Sequence, residues 1–394
     1  MQKNPKLIRI TTVPLSLNVL LRGQMRYMNE NGFDVLMVSA DGKELDIVKQ
    51  NEQCRHQIVP MTRKITPLAD LRSLWLLYKL FKNEKPDIVH SHTPKAGLLA
   101  MLAAKAAGSK IRVHTIAGLR FMTAKGTTRK ILVAMEKLTA SAATHVWPNS
   151  FSLLEYIKTN QLVKPSKLEV IGLGSSNGIN LSRYSTESLQ PEKLQQIKNL
   201  VQYDEQLIYF VSVGRIVQDK GIDELVKAFS AVYETNKQIR LILVGAFEDD
   251  LDPISDEARQ IINTHPGILQ PGWSETVEYF MHFAFALVHP SHREGFPNVL
   301  LQAGAMHCPI ICSRIEGNVD IVDHEKTGLI FEARNQNDLQ AMLEKALANP
   351  QALQQYAATL RAKIEQHFAQ PIVHQYLHQR YLSILAANST SSHQ

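Results

Sequence analysis

With only three cysteines in 394 residues, the chain cannot be a disulfide-stapled secreted scaffold. Cys54, Cys308 and Cys312 also lack the spacing of a metal site. Cys308 and Cys312 sit among apolar residues, so buried, reduced thiols in a cytoplasmic protein are expected. There is no run of about 18 to 20 apolar residues, so no segment is predicted to span a bilayer. At the start, Lys3, Lys6 and Arg9 are followed by Thr11, Thr12, Ser16 and Asn18, which interrupt any signal-like apolar core. No zinc finger, ribonucleoprotein motif or basic-aromatic stripe is present, and no nucleic-acid partner is expected. Low complexity is confined to the polar end "NSTSSHQ", which is expected to fray.

At 44% hydrophobic and 20% charged residues, the composition is that of a globular chain, and the length suggests two domains. The net charge of +6 hides a division. Residues 1–188 carry 27 Lys and Arg against 13 Asp and Glu, whereas the remainder carry 16 against 24. A basic half next to an acidic half implies an anionic partner for the first, either a membrane surface or a phosphorylated acceptor, unless it is a basic face with no partner.

Short β-type runs alternate with helical periodicity. In the first half, strands are predicted at 7–13, 33–39, 56–60, 87–91, 111–115, 144–147 and 168–171. Helices are predicted near 19–31, 67–84, 94–107, 125–142 and 150–160. After a polar stretch at 182–206 the pattern restarts, with strands near 207–214, 239–245, 284–289, 309–312 and 328–331. Such alternation reads as an α/β protein with two Rossmann-like domains, 1–188 and 189–370, followed by a C-terminal helix at 371–388 packing back on the first. Ligands of open parallel sheets bind at the carboxyl ends of the strands. That rule selects Ser16–Asn18, "HSHTPKAG", "HTIAGL", "GRIVQDKG", the loop 245–253 and "HREGFPN".

The stretch "SHREGFPNVLLQAGA" (291–305) moves from a charged loop into a helix. With Pro297 at the first helical position, the amides of Gly295, Phe296, Asn298 and Val299 would crowd a helix N-terminus beside Glu294, which makes either an anion site or an ordinary capped helix. In "SVGRIVQDKGIDELVKAF", Arg215 and Lys220 flank a short loop and could grip a diphosphate, or form a solvated surface pair. His114 closes a strand, where either a structural or a catalytic role is open. His90 and His92 alternate at the end of strand 87–91 and are expected not to share a face; neither has the partners of a metal site. "GLGSSNG" (172–178) lacks the spacing of a dinucleotide loop and reads as a turn between domains. "EDDLD" (248–252) contains Asp250 and Asp252, a pattern that can bind a metal–nucleotide complex but also fits a solvated loop. Helix 67–84 has an apolar face rimmed by Arg63, Lys64, Arg72, Lys79, Lys82 and Lys85, which suits an anionic membrane or a core helix with a basic rim.

Taken in order and spacing, "VGRIVQDKG", "LILVG", "LVHPSHREGFPNVLLQAGAMHCPIICS" and "DIVDHEKTGLIF" resemble the family 4 glycosyltransferases, across nearly the whole chain. The resemblance implies the GT-B fold, two Rossmann-like domains with a cleft between them, and retaining transfer from a nucleotide-sugar donor. "HSHTPKAGLLA" and "SSNGIN" are similar to the bacterial branch that extends undecaprenyl-diphosphate-linked sugars in capsule, O-antigen or protein-glycan synthesis. On this basis Glu294 contacts the donor sugar, the amides through Val299 approach sugar and phosphates, and Arg215 and Lys220 hold the diphosphate. His114 matches a histidine near the donor sugar and β-phosphate. Ser16, Asn18, His92 and Lys95 fall on the loops that meet acceptor or donor.

Two positions depart from the pattern. The family's second acidic residue, on the ribose, is here Gln302, and the commonly Gly-rich first loop is "TVPLSLNVLLRG". The expected activity is transfer of an N-acetylhexosamine or related sugar from a UDP-sugar to an undecaprenyl-diphosphate-linked sugar, without a metal or other cofactor. The expected location is the inner face of the bacterial cytoplasmic membrane. The rival readings are a sugar-nucleotide epimerase of the same fold and a non-catalytic nucleotide-sugar-binding subunit.

Overall fold

Stretches such as "KLIRI", "DVLMVS", "IYFVSV" and "IRLILV" are mostly apolar and buried on both faces, as strands covered by helices on either side require. The computed structural model describes residues 4–62, 64, 66–249 and 252–390; Arg63 and Asp250 lie outside the described residues. The chain forms two units, one running to Gly178 and including the chain from Pro371 onward, the other Ile179–Gln370. Residues 179–188, which the sequence pattern assigned to the first domain, therefore lie in the second unit.

In the first unit, strands β1 (Lys6–Ile10), β2 (Asp34–Ser39), β3 (Arg55–Ile58), β4 (Ile88–Ser91), β5 (Ile111–Ile116) and β6 (His145–Pro148) form a parallel sheet of order β3-β2-β1-β4-β5-β6. The second unit has β7 (Ile208–Val213), β8 (Ile239–Val244), β9 (Ile268–Gly272), β10 (Ala286–His289), β11 (Ile310–Ser313) and β12 (Leu329–Phe331). Their order, β12-β11-β10-β7-β8-β9, is the same doubly wound topology. Strand order therefore reverses between β1 and β4 in one unit and between β7 and β10 in the other, where such sheets bind ligands.

Several boundaries differ from the sequence expectation. β9 was missed because Pro271 and Gly272 disguise it, and its edge position tolerates the missing N–H. Residues 168–171 form no strand beyond a single bridge from Leu168 to Val146. The polar stretch 182–206 contains the Pro191–Leu200 helix, and Leu189 and Ile197 pack on the second core. A Leu45–Glu52 helix, rich in polar residues, was also missed. Asn388–Thr390, expected to fray, continue the last helix.

The Pro94–Ala107 helix lies against β4 and β5 through Ala96, Gly97, Ala100, Ala103 and Ala104, small residues that permit close approach. The Gln370–Thr390 helix buries Leu377, Tyr381 and Ile384 among Leu7, Met37 and Trp147 of the same unit. Tyr381 Oη accepts from Arg9 Nη1 at 2.9 Å, and Arg9 is fully buried. Arg9 Nη2 lies 2.9 Å from His92 Nε2, and since Arg only donates, His92 carries its proton on Nδ1. The His90 and His92 rings lie against each other at a 31° tilt with centroids 4.2 Å apart, contrary to the expected separation. Positions two apart on a strand share a face. Among the described residues no helix is long and apolar enough to cross a membrane.

Candidate active site

At the β7/β10 switch point of the second unit, two loops are stitched together. His292 N donates to Asp219 O at 2.8 Å, Ser291 Oγ to the same oxygen at 3.3 Å, and Arg293 Nε to Asp219 Oδ2 at 2.9 Å. Asp219 N in turn donates to Asp252 Oδ2 at 2.7 Å, so Asp252 braces the loop. Gly221 has φ +67°, and a Cβ there would stand 2.1 Å from Pro290 O, so no larger residue fits between the loops. Gly317 backs the other side, where a Cβ would stand 2.4 Å from Gly295 O.

Within this clamp Lys220 Nζ pairs with Glu294 Oε1. His289 Nε2 lies 3.2 Å from the same oxygen. Burial alone would raise the Glu294 pKa, but Lys220 and His289 together hold it well below the ordinary carboxylate range. Burial keeps His289 neutral by lowering its pKa. Gly214, Arg215, Lys220, His289 and Pro290 line one depression at the strand ends. Arg215 is half-exposed and pairs with Glu248 at 2.6 Å. Arg215 and Lys220 thus line one depression, and Glu294 adjoins it through its pair with Lys220.

The following helix is Asn298–Ala305, with Pro297 as its extended N-cap (φ −75°, ψ 116°) and not at the first helical position. Proline's fixed φ fits either place, but its ψ here is that of the entering loop. The Phe296 ring is buried against Phe368, so only its backbone remains for a ligand. Asn298 and Val299 stand half-buried in the first turn, whose amides lack helical acceptors. Gln302 Nε2 donates to Tyr184 Oη at 2.7 Å, which leaves its carbonyl oxygen to accept from another group.

In the first unit, His114 ends β5, buried, with Nδ1 2.9 Å from Ser91 Oγ. Burial pushes its pKa down to about 4, so the imidazole is neutral near pH 7. The other loop candidates are engaged elsewhere. Lys95 Nζ is held by Asp70 Oδ1 at 2.7 Å, by Thr62 and Thr66 Oγ1 at 3.2 Å each, and by Lys64 O, anchoring the start of the Pro67–Glu84 helix. Asn18 Oδ1 accepts from Arg22 at 2.8 and 3.1 Å, and Ser16 is buried in the Pro14–Leu20 helix. His92 lines a cavity with His114. Among the described residues no group of three or more His, Cys, Asp or Glu is placed to hold a metal ion. Sequence reasoning missed His289, Asp219, Arg293 and Tyr184; the strand-end rule, applied to every residue of these loops, would have flagged the first three.

The doubly wound units and the carboxylate–lysine clamp define a GT-B-type glycosyltransferase. The group 1 glycosyl transferase model matches residues 194–363, and a glycosyl transferase 4-like domain matches 17–174. The capsular polysaccharide biosynthesis glycosyltransferase CapM of Staphylococcus aureus is 33% identical over 384 residues, 97% of this chain and 98% of that protein. The UDP-Gal:alpha-D-GlcNAc-diphosphoundecaprenol alpha-1,3-galactosyltransferase of Escherichia coli is 26% identical, over 79% of this chain and 78% of that one. Anabaena Alr3699/HepE, solved in complex with UDP, shares the fold at 15% identity, with a TM-score of 0.77 over 96% of this chain and 100% of that one. The chain belongs to the group 1, or family 4, glycosyltransferases, enzymes that use nucleotide sugars.

Proposed function

We propose that the chain transfers a sugar, with retention of configuration, from a UDP-sugar to an undecaprenyl-diphosphate-linked sugar during surface-polysaccharide assembly. The observation that carries this reading is the ionised Glu294 held by Lys220 beside Arg215 at the β7/β10 switch point. Lys220 and Arg215 stabilise charge on the departing diphosphate, and first-turn amides add to it. Glu294 positions the sugar hydroxyls; His114 serves the sugar as a neutral hydrogen-bonding ring. The leaving phosphate helps deprotonate the incoming hydroxyl on the same face, so Glu294 does not attack. The test is UDP release from UDP-sugars with and without undecaprenyl-diphosphate-linked sugar, in chelator throughout. Release is expected only with acceptor and without divalent metal. Acceptor-independent turnover would favour the epimerase, absence of any turnover the binding subunit, and rescue by magnesium a metal-dependent enzyme.

In this reading Gln302 accepts from a ribose hydroxyl through its carbonyl oxygen. A carboxylate would accept from both Tyr184 Oη and the ribose, a gain of about 1 kcal/mol. Gln302→Glu is therefore expected to be active with an equal or lower donor KM; a severe loss of turnover would remove Gln302 from the ribose.

We assign the peripheral membrane contact to the Pro67–Glu84 helix. Ser73, Leu77 and Phe81 form its buried face, yet Leu68, Leu71 and Trp75 lie on another stripe and are 85%, 62% and 53% exposed. Arg72, Lys79 and Lys82 rim that stripe, and Lys79 Nζ sits 3.6 Å from the Trp75 ring centroid. Apolar insertion beside cations suits an anionic bilayer on the inner face of the cytoplasmic membrane. Co-sedimentation with phosphatidylglycerol vesicles is expected to weaken with salt and to fall about tenfold in Leu71→Ser/Trp75→Ser. Binding indifferent to salt, lipid charge and these substitutions would refute the contact.

A further inference from the structure

The Gly126–Ala142 helix carries one residue that its packing does not explain. Leu132 and Val133 pack on the first unit's core, and Thr139 and Ala140 are buried. Glu136 lies three or four residues from each of them and so shares the inner face. Among the described residues no hydrogen bond or ion pair reaches its carboxyl, and burial is the only influence on its pKa, pushing it up to about 7. An unpaired acid on an apolar face costs stability, and such residues concentrate at functional sites.

Glu136 borders a cavity of about 150 Å³ at the ends of β4 and β5. His92, His114 and Ser176 supply its polar wall, and Leu20 and Leu21 an apolar one. Both histidines are neutral near pH 7, because burial lowers each pKa. A phosphate would meet an acid that is about half ionised near pH 7, with no cation in the lining to attract it. A neutral ligand rich in hydroxyl donors, about the size of one sugar ring, needs no such cation.

We infer that Glu136 binds the acceptor: its carboxylate accepts hydrogen bonds from hydroxyls of the acceptor's terminal sugar, seated in this cavity beside His114. The inference rests on the transfer reaction proposed above and names a residue that recognises its second substrate. Glu136→Gln keeps the shape and weakens the acceptor atom; Glu136→Met matches the apolar face around it. Kinetics would vary undecaprenyl-diphosphate-linked sugar at saturating donor, alongside UDP calorimetry and thermal melting. Acceptor KM is expected to rise about 10-fold in Glu136→Gln and about 100-fold in Glu136→Met. UDP affinity and donor KM should stay within about twofold, and Glu136→Met should melt no lower than wild type, because a half-buried acid with no partner is removed. A merely structural glutamate would give the opposite pattern, a lower melting point with acceptor KM intact. Acceptor KM within about twofold of wild type in both variants, or an effect on the donor alone, would overturn the inference; if Glu136→Met does not fold, Glu136→Gln decides. Wild-type protein that uses no lipid-diphosphate sugar would overturn the transfer reading, and this inference with it.

Discussion

Lys220→Ala is expected to lower turnover by about two to three orders of magnitude, the scale of losing one charge stabiliser in a transition state. Two losses coincide. In the proposed reaction the developing charge on the diphosphate loses a cation, and Glu294 loses the partner that offsets its burial. Without Lys220 the burial effect on Glu294 is opposed only by His289, so its pKa rises and its orientation loosens. Arg215→Ala removes a cation from the same depression and is expected to cost about 10²-fold. Its half-exposed guanidinium can leave Glu248 for a ligand at little cost, since exposed pairs are weak. Lys220→Arg restores charge but not shape, because a planar fork replaces a point charge inside a closed clamp. It is expected to recover only part of the rate. Rapid-quench measurement of single turnovers, with donor and acceptor saturating, separates these effects from product release. Near-wild-type rates in both alanine variants would remove the pair from the diphosphate.

The alternation of strand and helix, and hence two doubly wound domains, could be read directly from the chain. Sheet order could not. Lys220 and Glu294 are 74 residues apart and meet only because β7 and β10 are neighbours. Periodicity locates both loops at strand ends but does not say that those strands adjoin. The family resemblance matched the two residues without giving the reason for their contact. Segments that hid from the pattern did so for local causes, as Pro271 shows in β9. The buried polar cluster of Arg9, Gln24, His92, His374 and Tyr381 was invisible for a different reason. Its members come from separate elements, and each alone resembles a surface residue. Lys95 was misleading in the opposite sense, since a lysine at a strand-end loop suggests a ligand while the fold uses it to anchor a helix.

Gly97→Ala is expected to cut turnover by about 10²-fold while leaving the fold intact, the penalty associated with misplacing a reacting group by about 1 Å. Gly97 lies in the Pro94–Ala107 helix, where alanine is the better helix former by about 1 kcal/mol. On propensity alone the substitution should stabilise. A Cβ at this position, however, would stand 2.3 Å from His114 Cε1 and 2.8 Å from Nδ1. The ring must yield, because it is a side-chain terminus and the helix is locked against β4 and β5. Moving it breaks the contact with Ser91 Oγ and displaces the imidazole that shares a cavity with Glu136. Stability therefore changes little, with the helix gain set against the lost hydrogen bond, while the geometry that the proposed transfer asks of His114 is lost. The measurement is a double-mutant cycle of Gly97→Ala with His114→Ala, reading kcat and melting temperature for each variant. If the methyl acts through the ring, the double variant is no slower than His114→Ala alone, since there is no longer a ring to displace. Independent, additive losses would show that Gly97 serves the reaction by another route. Full activity in Gly97→Ala, with melting unchanged, would mean that transfer does not depend on where this imidazole sits.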